Sequence, residues 1–371
     1  AVKQETEKAE EAKAGTKEEK SGEVTTVTLW SFKAEDNDPT ASSSRLKKLI
    51  DDFNASHEDI QVEVSFGKTY DNVVTAIATQ DTPDLFDMYW QYASPLAARG
   101  ALYDLTEFVE NDAEFEKADF LERVWDLCTV DGKIYSIPNL ASSSFAVYNK
   151  NVLKECGLEV PTSKEELVSC FDVLKEKGYI PFYSGAGDSW MCGNITSSGL
   201  YGDMQRDPDL IEKYNTNQLG YTDSVSFKEM LQDVSDWAQA GYFGDNFMSQ
   251  TWDGMQDAVA NDECGFSIGL TSWLTSMDNT YGEGTSDKLE LIPYYIGEND
   301  TIYQSTCCEL YVNQKTENLD VCRHLFNWLC KDENLQQLYN GLGSASIFKN
   351  IVSEGMCEST TNLMAKISDG T

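Results

Sequence analysis

Four tryptophans, Trp30, Trp90, Trp190 and Trp273, each stand at or just past the end of an apolar, strand-like run, and they are spread over most of the chain. An indole offers a broad apolar face and one N–H donor. Its natural partner is the face of a sugar ring, which presents C–H groups on one side and hydroxyls around its edge. Phe32 follows Trp30 closely, Tyr89 and Tyr92 flank Trp90, and Asp188 precedes Trp190. Side chains so alike in local setting would, if they converge on one cleft, bind a small carbohydrate.

Catalytic signatures are absent from the sequence. It contains no H-E-x-x-H, G-x-S-x-G or Walker-type G-x-x-x-x-G-K, and no G-x-G-x-x-G after a strand. A glycoside hydrolase needs two carboxylates about 5 to 9 Å apart. Asp84 with Asp87, Asp188 and Glu309 lie near the tryptophans, so this chemistry stays open. The ten cysteines form no C-x-x-C pair and stand near no histidine cluster, and only His57 and His324 are present. Neither a zinc site nor any cofactor is expected, and Asp36-Asn37-Asp38 is too short for a calcium loop. Most cysteines read as small buried hydrophobes. Cys322 and Cys330 are about two helical turns apart, too far to bridge, whereas adjacent Cys307 and Cys308 leave a vicinal disulfide as an alternative. Free thiols in an exported protein would suit an anaerobic bacterium.

With 28 Lys plus Arg against 63 Asp plus Glu, the formal charge is −35. Such a field repels phosphate backbones and anionic headgroups, which argues against nucleic-acid partners and polyanionic ligands. No apolar run approaches the roughly 18 to 20 residues that span a bilayer. Residues 1–23 hold five Lys and seven Glu, with Val2 as the sole larger aliphatic. They cannot bury enough surface to offset their ordering entropy, and read as a disordered charged tether.

From Val24 onward strands and helices alternate. V-T-T-V-T-L-W-S-F is a strand; Leu46, Leu49, Ile50 and Phe53 mark a helical face; Ile60–Phe66 alternates like a strand. A helix over 70–80, a strand in T-P-D-L-F-D-M-Y-W and a helix over 92–99, stopped by Gly100, follow. After the Asp131-Gly132 turn, 133–138 and 145–149 read as two strands. Helices are expected over 150–156, after Thr162 or Ser163 as cap, over 223–240 with Phe227, Leu231, Val234 and Trp237 or Ala238 inward, and over 251–260. Strands over 264–268, 289–295 and 310–312 and helices over 319–330 and 334–339 complete the reading. This order implies a largely parallel sheet covered on both faces, and open α/β sheets bind ligands beyond the carboxyl ends of their strands. Trp125, Trp237 and Trp328 fall inside helices at core spacing. Trp252, at a helix start, stays unassigned.

Five stretches in order carry a family resemblance. They are T-P-D-L-F at 82–86 with L-Y-D-L-T at 102–106; D-G-K-I-Y-S-I-P at 131–138; V-Y-N-K-N-V-L-K-E-C-G-L at 147–158 with P-T-S-K-E-E-L; N-D-E-C-G-F-S-I-G-L-T-S-W at 261–273; and Y-V-N-Q-K-T at 311–316, followed by S-A-S-I-F-K at 344–349. Over nearly all of 24–371 the chain resembles the extracellular solute-binding proteins of ABC sugar importers, of the maltose-binding-protein-like kind. The resemblance implies a two-lobed periplasmic-binding-protein-like α/β fold (type II), each lobe a mostly parallel sheet flanked by helices, with the ligand cleft between them. It implies 24–139 with 261–306 as the first lobe and 140–260 with 307–371 as the second. Trp30, Phe32 and Trp90 would line the first wall, with Tyr92 a further ligand-binding candidate at the same strand end, Asn139 and Ser142 to Ser144 the hinge side, and Trp190 the second wall. Trp273 would stack on a sugar ring, and Asn139, Asp188 and Glu309 would meet hydroxyls. The implied protein is a monomeric, non-enzymatic receptor that passes a neutral sugar or oligosaccharide to importer permease subunits. It would be a lipoprotein at the outer face of the membrane, its anchor absent from this chain and its C-terminus truncated. A surface sensor or adhesin on the same scaffold, and an acidic glycoside hydrolase, are the alternatives.

Overall fold

The computed structural model describes residues 24–362 except 40, 123, 189, 196–202, 204–206, 208, 297–302, 341, 344–345, 356–357 and 359–360. The expected tether over 1–23 lies outside the described residues, as do the side chains of 141–144 and 303–308.

The chain opens with β1 (Thr25–Ser31), α1 (Ser42–Ser56), β2 (Ile60–Ser65), α2 (Tyr70–Thr79), β3 (Leu85–Met88) and α3 (Ala93–Ala98). In α1 the predicted Leu46, Leu49, Ile50 and Phe53 are the buried stripe. A capping box between Thr69 and Asn72 starts α2, and Gln80 in the left-handed region ends it. Short elements follow: α4 (Thr106–Asn111), α5 (Val124–Cys128), and the hairpin of β4 (Thr129–Val130) and β5 (Lys133–Ile134). Its tight turn puts Asp131 at φ 52° and Gly132 at φ 76°. The two strands expected over 133–149 merge largely into one long strand, β6 (Ser136–Asn149). Strand β6 leads into α6 (Lys150–Cys156), capped by the Asn149 side chain, and α7 (Lys164–Glu176), capped by Ser163. Then come β7 (Ile180–Tyr183), α8 (Leu210–Asn215), α9 (Val225–Gln239), α10 (Trp252–Ala260), β8 (Cys264–Leu270), α11 (Thr271–Tyr281) and β9 (Leu289–Ile292). The described elements close with β10 (Tyr303–Val312), α12 (Leu319–Leu329) and α13 (Asp332–Tyr339).

Strands join in the order β2-β1-β3-β10-β6-β8-β7, with β9 also on β6. The sheet is mixed rather than largely parallel. β1 runs parallel to β2 and β3, and β7 to β8, whereas β10 and β6 are antiparallel to each other and to their outer neighbours. The antiparallel pair is the bridge between two bodies. One core draws on Val27 through Leu140 and again on Leu310 through Ile351; a second draws on Phe145 through Ile296. A third cluster, with Val73, Phe86, Met88, Leu96 and Tyr311, covers the other face of the first body's strands.

The lobe boundaries expected from sequence are therefore exchanged in their C-terminal halves. Residues 264–292 belong to the second body, because β8 pairs with β7 and with the far half of β6. The segment from Leu310 belongs to the first, because β10 crosses back and delivers α12 and α13 onto α1. Two glycines permit the close packing of β8. A Cβ on Gly265 would lie 2.4 Å from a Leu174 methyl, and one on Gly269 would lie 2.2 Å from a Val147 methyl. In α9 the inward face carries Ser226, Met230 and Trp237, so the expected Leu231 points outward, 45% exposed.

Candidate functional site

Strand register decides which ends meet. Glu309 of β10 lies opposite both Met88, the last residue of β3, and Pro138 of β6. Leu270, the last residue of β8, lies opposite Ser144. The carboxyl ends of β1 and β3 from one body, and of β7 and β8 from the other, therefore point toward the same stretch of β6. Pro138 and Ser144 are separated by six residues of strand, about 20 Å at 3.3 to 3.4 Å each. That stretch of β6, beyond the carboxyl ends of the flanking strands, is where an α/β sheet of this topology presents ligand-binding groups.

On the first side Trp30 pairs with Phe86, half-buried, with the Lys68 ammonium 4.8 Å from its ring centre. Phe32 meets Tyr89 at 4.2 Å between centroids, and Tyr89 is 37% exposed. Trp90 opens a 3-10 turn, Trp90–Tyr92, and is half-buried. Tyr92 stacks on Tyr70 at 4.2 Å and 11°, so one of its faces is occupied; Tyr70 Oη accepts a 2.9 Å bond from Arg99. Beneath these rings the buried Asp87 carboxylate holds the Lys33 ammonium and accepts from Ser31 Oγ at 2.8 Å. Both charges are buried, so removing either would break an ion pair shielded from water.

On the second side, two backbone bonds tie the loop after β7 to the loop before α10: Ala186 N–H to Phe247 O at 3.0 Å and Gly187 N–H to Gln250 O at 2.7 Å. The contact requires glycine, since a Cβ at Gly187 would sit 2.6 Å from the Gln250 carbonyl. This tie brings three indoles into a row. Trp190 contacts Trp252 at 5.1 Å, and Trp252 contacts Trp273 at 5.5 Å. The row runs from solvent to core: Trp190 is 42% exposed, Trp252 half-buried and Trp273 only 3% exposed.

Several sequence expectations shift on this geometry. Trp273, expected to stack on the ligand, is part of the second core, where α11 turns it under Trp252. Asp188, expected to face ligand hydroxyls, accepts the Trp252 backbone N–H at 2.6 Å and so satisfies the start of α10. Glu309 is fully buried and accepts the Tyr311 hydroxyl at 2.7 Å. Burial, then the Glu309 charge, pushes the Tyr311 phenol well above its ordinary value. Asn139 is half-buried beside the first core, its carbonyl accepting from Tyr339 Oη at 3.3 Å. Ser142 has its backbone in β6 opposite Ser305, but its side chain lies outside the described residues.

Trp252, unassigned from sequence, joins the constellation, and so does Tyr89, read from sequence as a strand-end aromatic beside Trp90. Trp252 carried one signal, its place directly after the Thr251 cap, and nothing local announced the loop that seats it against Trp190. Asp84 is a structural knot, accepting from Thr28 N–H and Oγ1, Thr316 Oγ1 and Asn318 Nδ2. Among the described residues, no cluster of three or more His, Cys, Asp or Glu stands together, and no helix is long and apolar enough to cross a membrane. The described cysteines, Cys128, Cys156, Cys170, Cys192, Cys264, Cys322 and Cys330, are free thiols; the side chains of Cys307 and Cys308 lie outside the described residues.

The family described as bacterial extracellular solute-binding protein matches residues 48–365. A multiple sugar-binding protein of Streptococcus mutans is 28% identical over 158 residues, 42% of this chain and 36% of that protein. The melibiose/raffinose/stachyose-binding protein MelE of Bacillus subtilis is 25% identical over 227 residues, 59% of this chain and 47% of that one. The chain thus spans about half or less of the length of these curated relatives. Among solved structures, a chitin oligosaccharide binding protein superposes with a TM-score of 0.77 at 15% identity, over 92% of this chain and 86% of that chain. A protein solved in work on xylan utilisation by the thermophilic bacterium Caldanaerobius polysaccharolyticus gives 0.74 at 21% identity, over 92% and 87%. These likenesses establish the two-lobed α/β fold, and with more than half its residues matched by the family, this chain belongs to the bacterial extracellular solute-binding proteins.

Proposed function

We propose that this chain is a receptor that captures a neutral oligosaccharide between its two lobes and delivers it to an ABC importer. The observation that carries the reading is the supply of aromatic rings from both bodies at strand ends directed to one stretch of β6. Phe32, Tyr89 and Trp90 form one wall; Trp190 backed by Trp252 forms the other. Ring faces supply apolar contact to a sugar. Trp30, Tyr92, Asn139, Ser142, Asp188, Trp273 and Glu309 act as neighbours or supports of that surface. The multiple sugar-binding protein of Streptococcus mutans and the melibiose/raffinose/stachyose-binding protein of Bacillus subtilis support the same ligand class.

Closure over the ligand is driven by contacts made only when both lobes touch it. The acids that a hydrolase would use are engaged otherwise: Asp84 and Asp188 hold loops, Asp87 holds Lys33, and Glu309 is sealed beneath Tyr311. We therefore read the protein as a binder rather than a catalyst. We place it as a monomer at the outer face of the membrane, residues 1–23 serving as a tether to a lipid anchor. Isothermal titration against raffinose, stachyose, xylo-oligosaccharides and chitin oligosaccharides tests the reading. Saturable binding of at least one neutral oligosaccharide, with no release of reducing ends, is the expected result. Binding of an amino acid or peptide in place of every sugar would overturn it.

A further inference from the structure

The chain has two histidines, 267 residues apart in sequence, and the fold brings them together. His57 is the residue that ends α1, and His324 lies in α12. Their Nε2 atoms are 2.9 Å apart, with the rings nearly perpendicular at 80°. His57 is half-buried, stacked on Phe53 at 4.1 Å, while His324 is exposed. His57 Nδ1 lies 2.8 Å from the Phe53 carbonyl and 3.0 Å from Ser56 Oγ. A carbonyl only accepts, so Nδ1 carries the proton and the Nε2 lone pair is directed outward to His324. Fixing one ring nitrogen by a backbone carbonyl so that the other can bind is the arrangement that metal-ligating histidines use.

We propose that His57 and His324 form a surface site for a borderline divalent transition cation, Ni²⁺, Cu²⁺ or Zn²⁺, with water completing its coordination. Two nitrogens about 2.05 Å from one ion and about 90° apart are about 2.9 Å from each other, the separation present between these rings. Tetragonal or octahedral ions thus fit with side-chain rotation alone, and tetrahedral zinc needs roughly 0.4 Å more. The ion replaces the hydrogen bond between the rings. His324 moves its proton from Nε2 to Nδ1, and both Nε2 lone pairs then bind metal. Hard cations are excluded, because no third His, Cys, Asp or Glu joins the pair among the described residues and imidazole is a poor ligand for them. The strongly negative chain raises the local concentration of any cation. The site is remote from the aromatic residues at the strand ends. His57 precedes β2, whose first residue pairs with the first residue of β1, so it lies at the opposite end of those strands from Trp30. An ion there clips the end of α1 to α12 within the first lobe.

The test uses the chelator-stripped protein without a histidine tag, titrated calorimetrically with Ni²⁺ and, separately, Zn²⁺. Wild type should take up one equivalent. H57Q and H324Q should each lose at least about tenfold in affinity, the double variant should fall little further, and Mg²⁺ should give no binding heat. Each variant should melt within a few degrees of wild type without metal. In a chain with two histidines, substoichiometric Ni²⁺ should also broaden both imidazole NMR signals of the unmutated protein together. Uptake unchanged in both single variants, no uptake by wild type, or imidazole signals left sharp would each overturn the proposal.

Discussion

At the scale of single residues, the three indoles of the second lobe have the same chemistry and different work. Trp190 is 42% exposed and Trp273 only 3%, so truncation should act on different observables. Trp190→Ala should weaken oligosaccharide binding by about 2 kcal/mol or more in calorimetry, within the range of interfacial hot spots, and leave the melting temperature nearly unchanged. Trp273→Ala should cost about 3–5 kcal/mol of stability in denaturant titration, as a buried aromatic truncation does, and weaken binding by removing the support under Trp252. Wild-type affinity in Trp190→Ala would remove the second wall. Asp84 is a different residue-scale case. Burial raises its pKa, but bonds from Thr316, Thr28 and Asn318 outweigh that and hold it below the ordinary carboxylate value. Its contribution is therefore complete above about pH 4 and lost as pH falls through the depressed value. Asp84→Asn should lower stability by about 1–3 kcal/mol at pH 7 and flatten the acid limb of the stability profile below pH 4. The motif ending at Trp273 made the strand end legible in sequence. Which ring of the row faces solvent was not, because a loop over 247–252, distant in sequence from Trp190, decides it.

At the scale of elements, β6 and β10 do what local pattern could not disclose. β6 carries the run Ala141-Ser142-Ser143-Ser144 between its more apolar ends, so 133–138 and 145–149 read as separate strands. The continuity of β6 depends on its pairing with β10, a contact across more than 150 residues. Other elements are more legible: the stripe of α1, a cap at Thr162 or Ser163 for α7, which the structure gives to Ser163, and the glycine stops all follow from 3.6-residue spacing and cap chemistry. The exposed Leu231 in α9 shows the limit, since an amphipathic helix with several apolar sides is oriented by its neighbours. The seam between β6 and β8 offers a test. Phe145 lies opposite Gly269 and covers it, its ring carbon 2.4 Å from where a Cβ would be. Gly269→Ala should therefore destabilise the second lobe by about 1–3 kcal/mol through overpacking, seen as a lowered melting temperature. An unchanged melt would mean that this seam is looser than its register implies.

At the scale of the whole molecule, the strand and helix pattern implies an α/β sheet and the family resemblance implies two lobes, whereas the path of the chain between them follows from the topology alone. Motif order alone does not show that 264–292 belongs with the second body and 310–351 with the first, because each body is built from discontinuous segments and only the crossing strands say which. The same scale carries the charge. A formal −35 makes the folded chain repel itself, an energy that salt screens over a Debye length of about 10 Å at 0.1 M. A neutral ligand gains nothing from that field, while a cationic one would be drawn in and then released as salt rises. Raising NaCl from about 10 to 300 mM should therefore increase the melting temperature yet change the oligosaccharide Kd by less than about twofold. A Kd that weakens steeply over that range would show a charged ligand and would exclude the neutral sugar, even if the aromatic walls were intact.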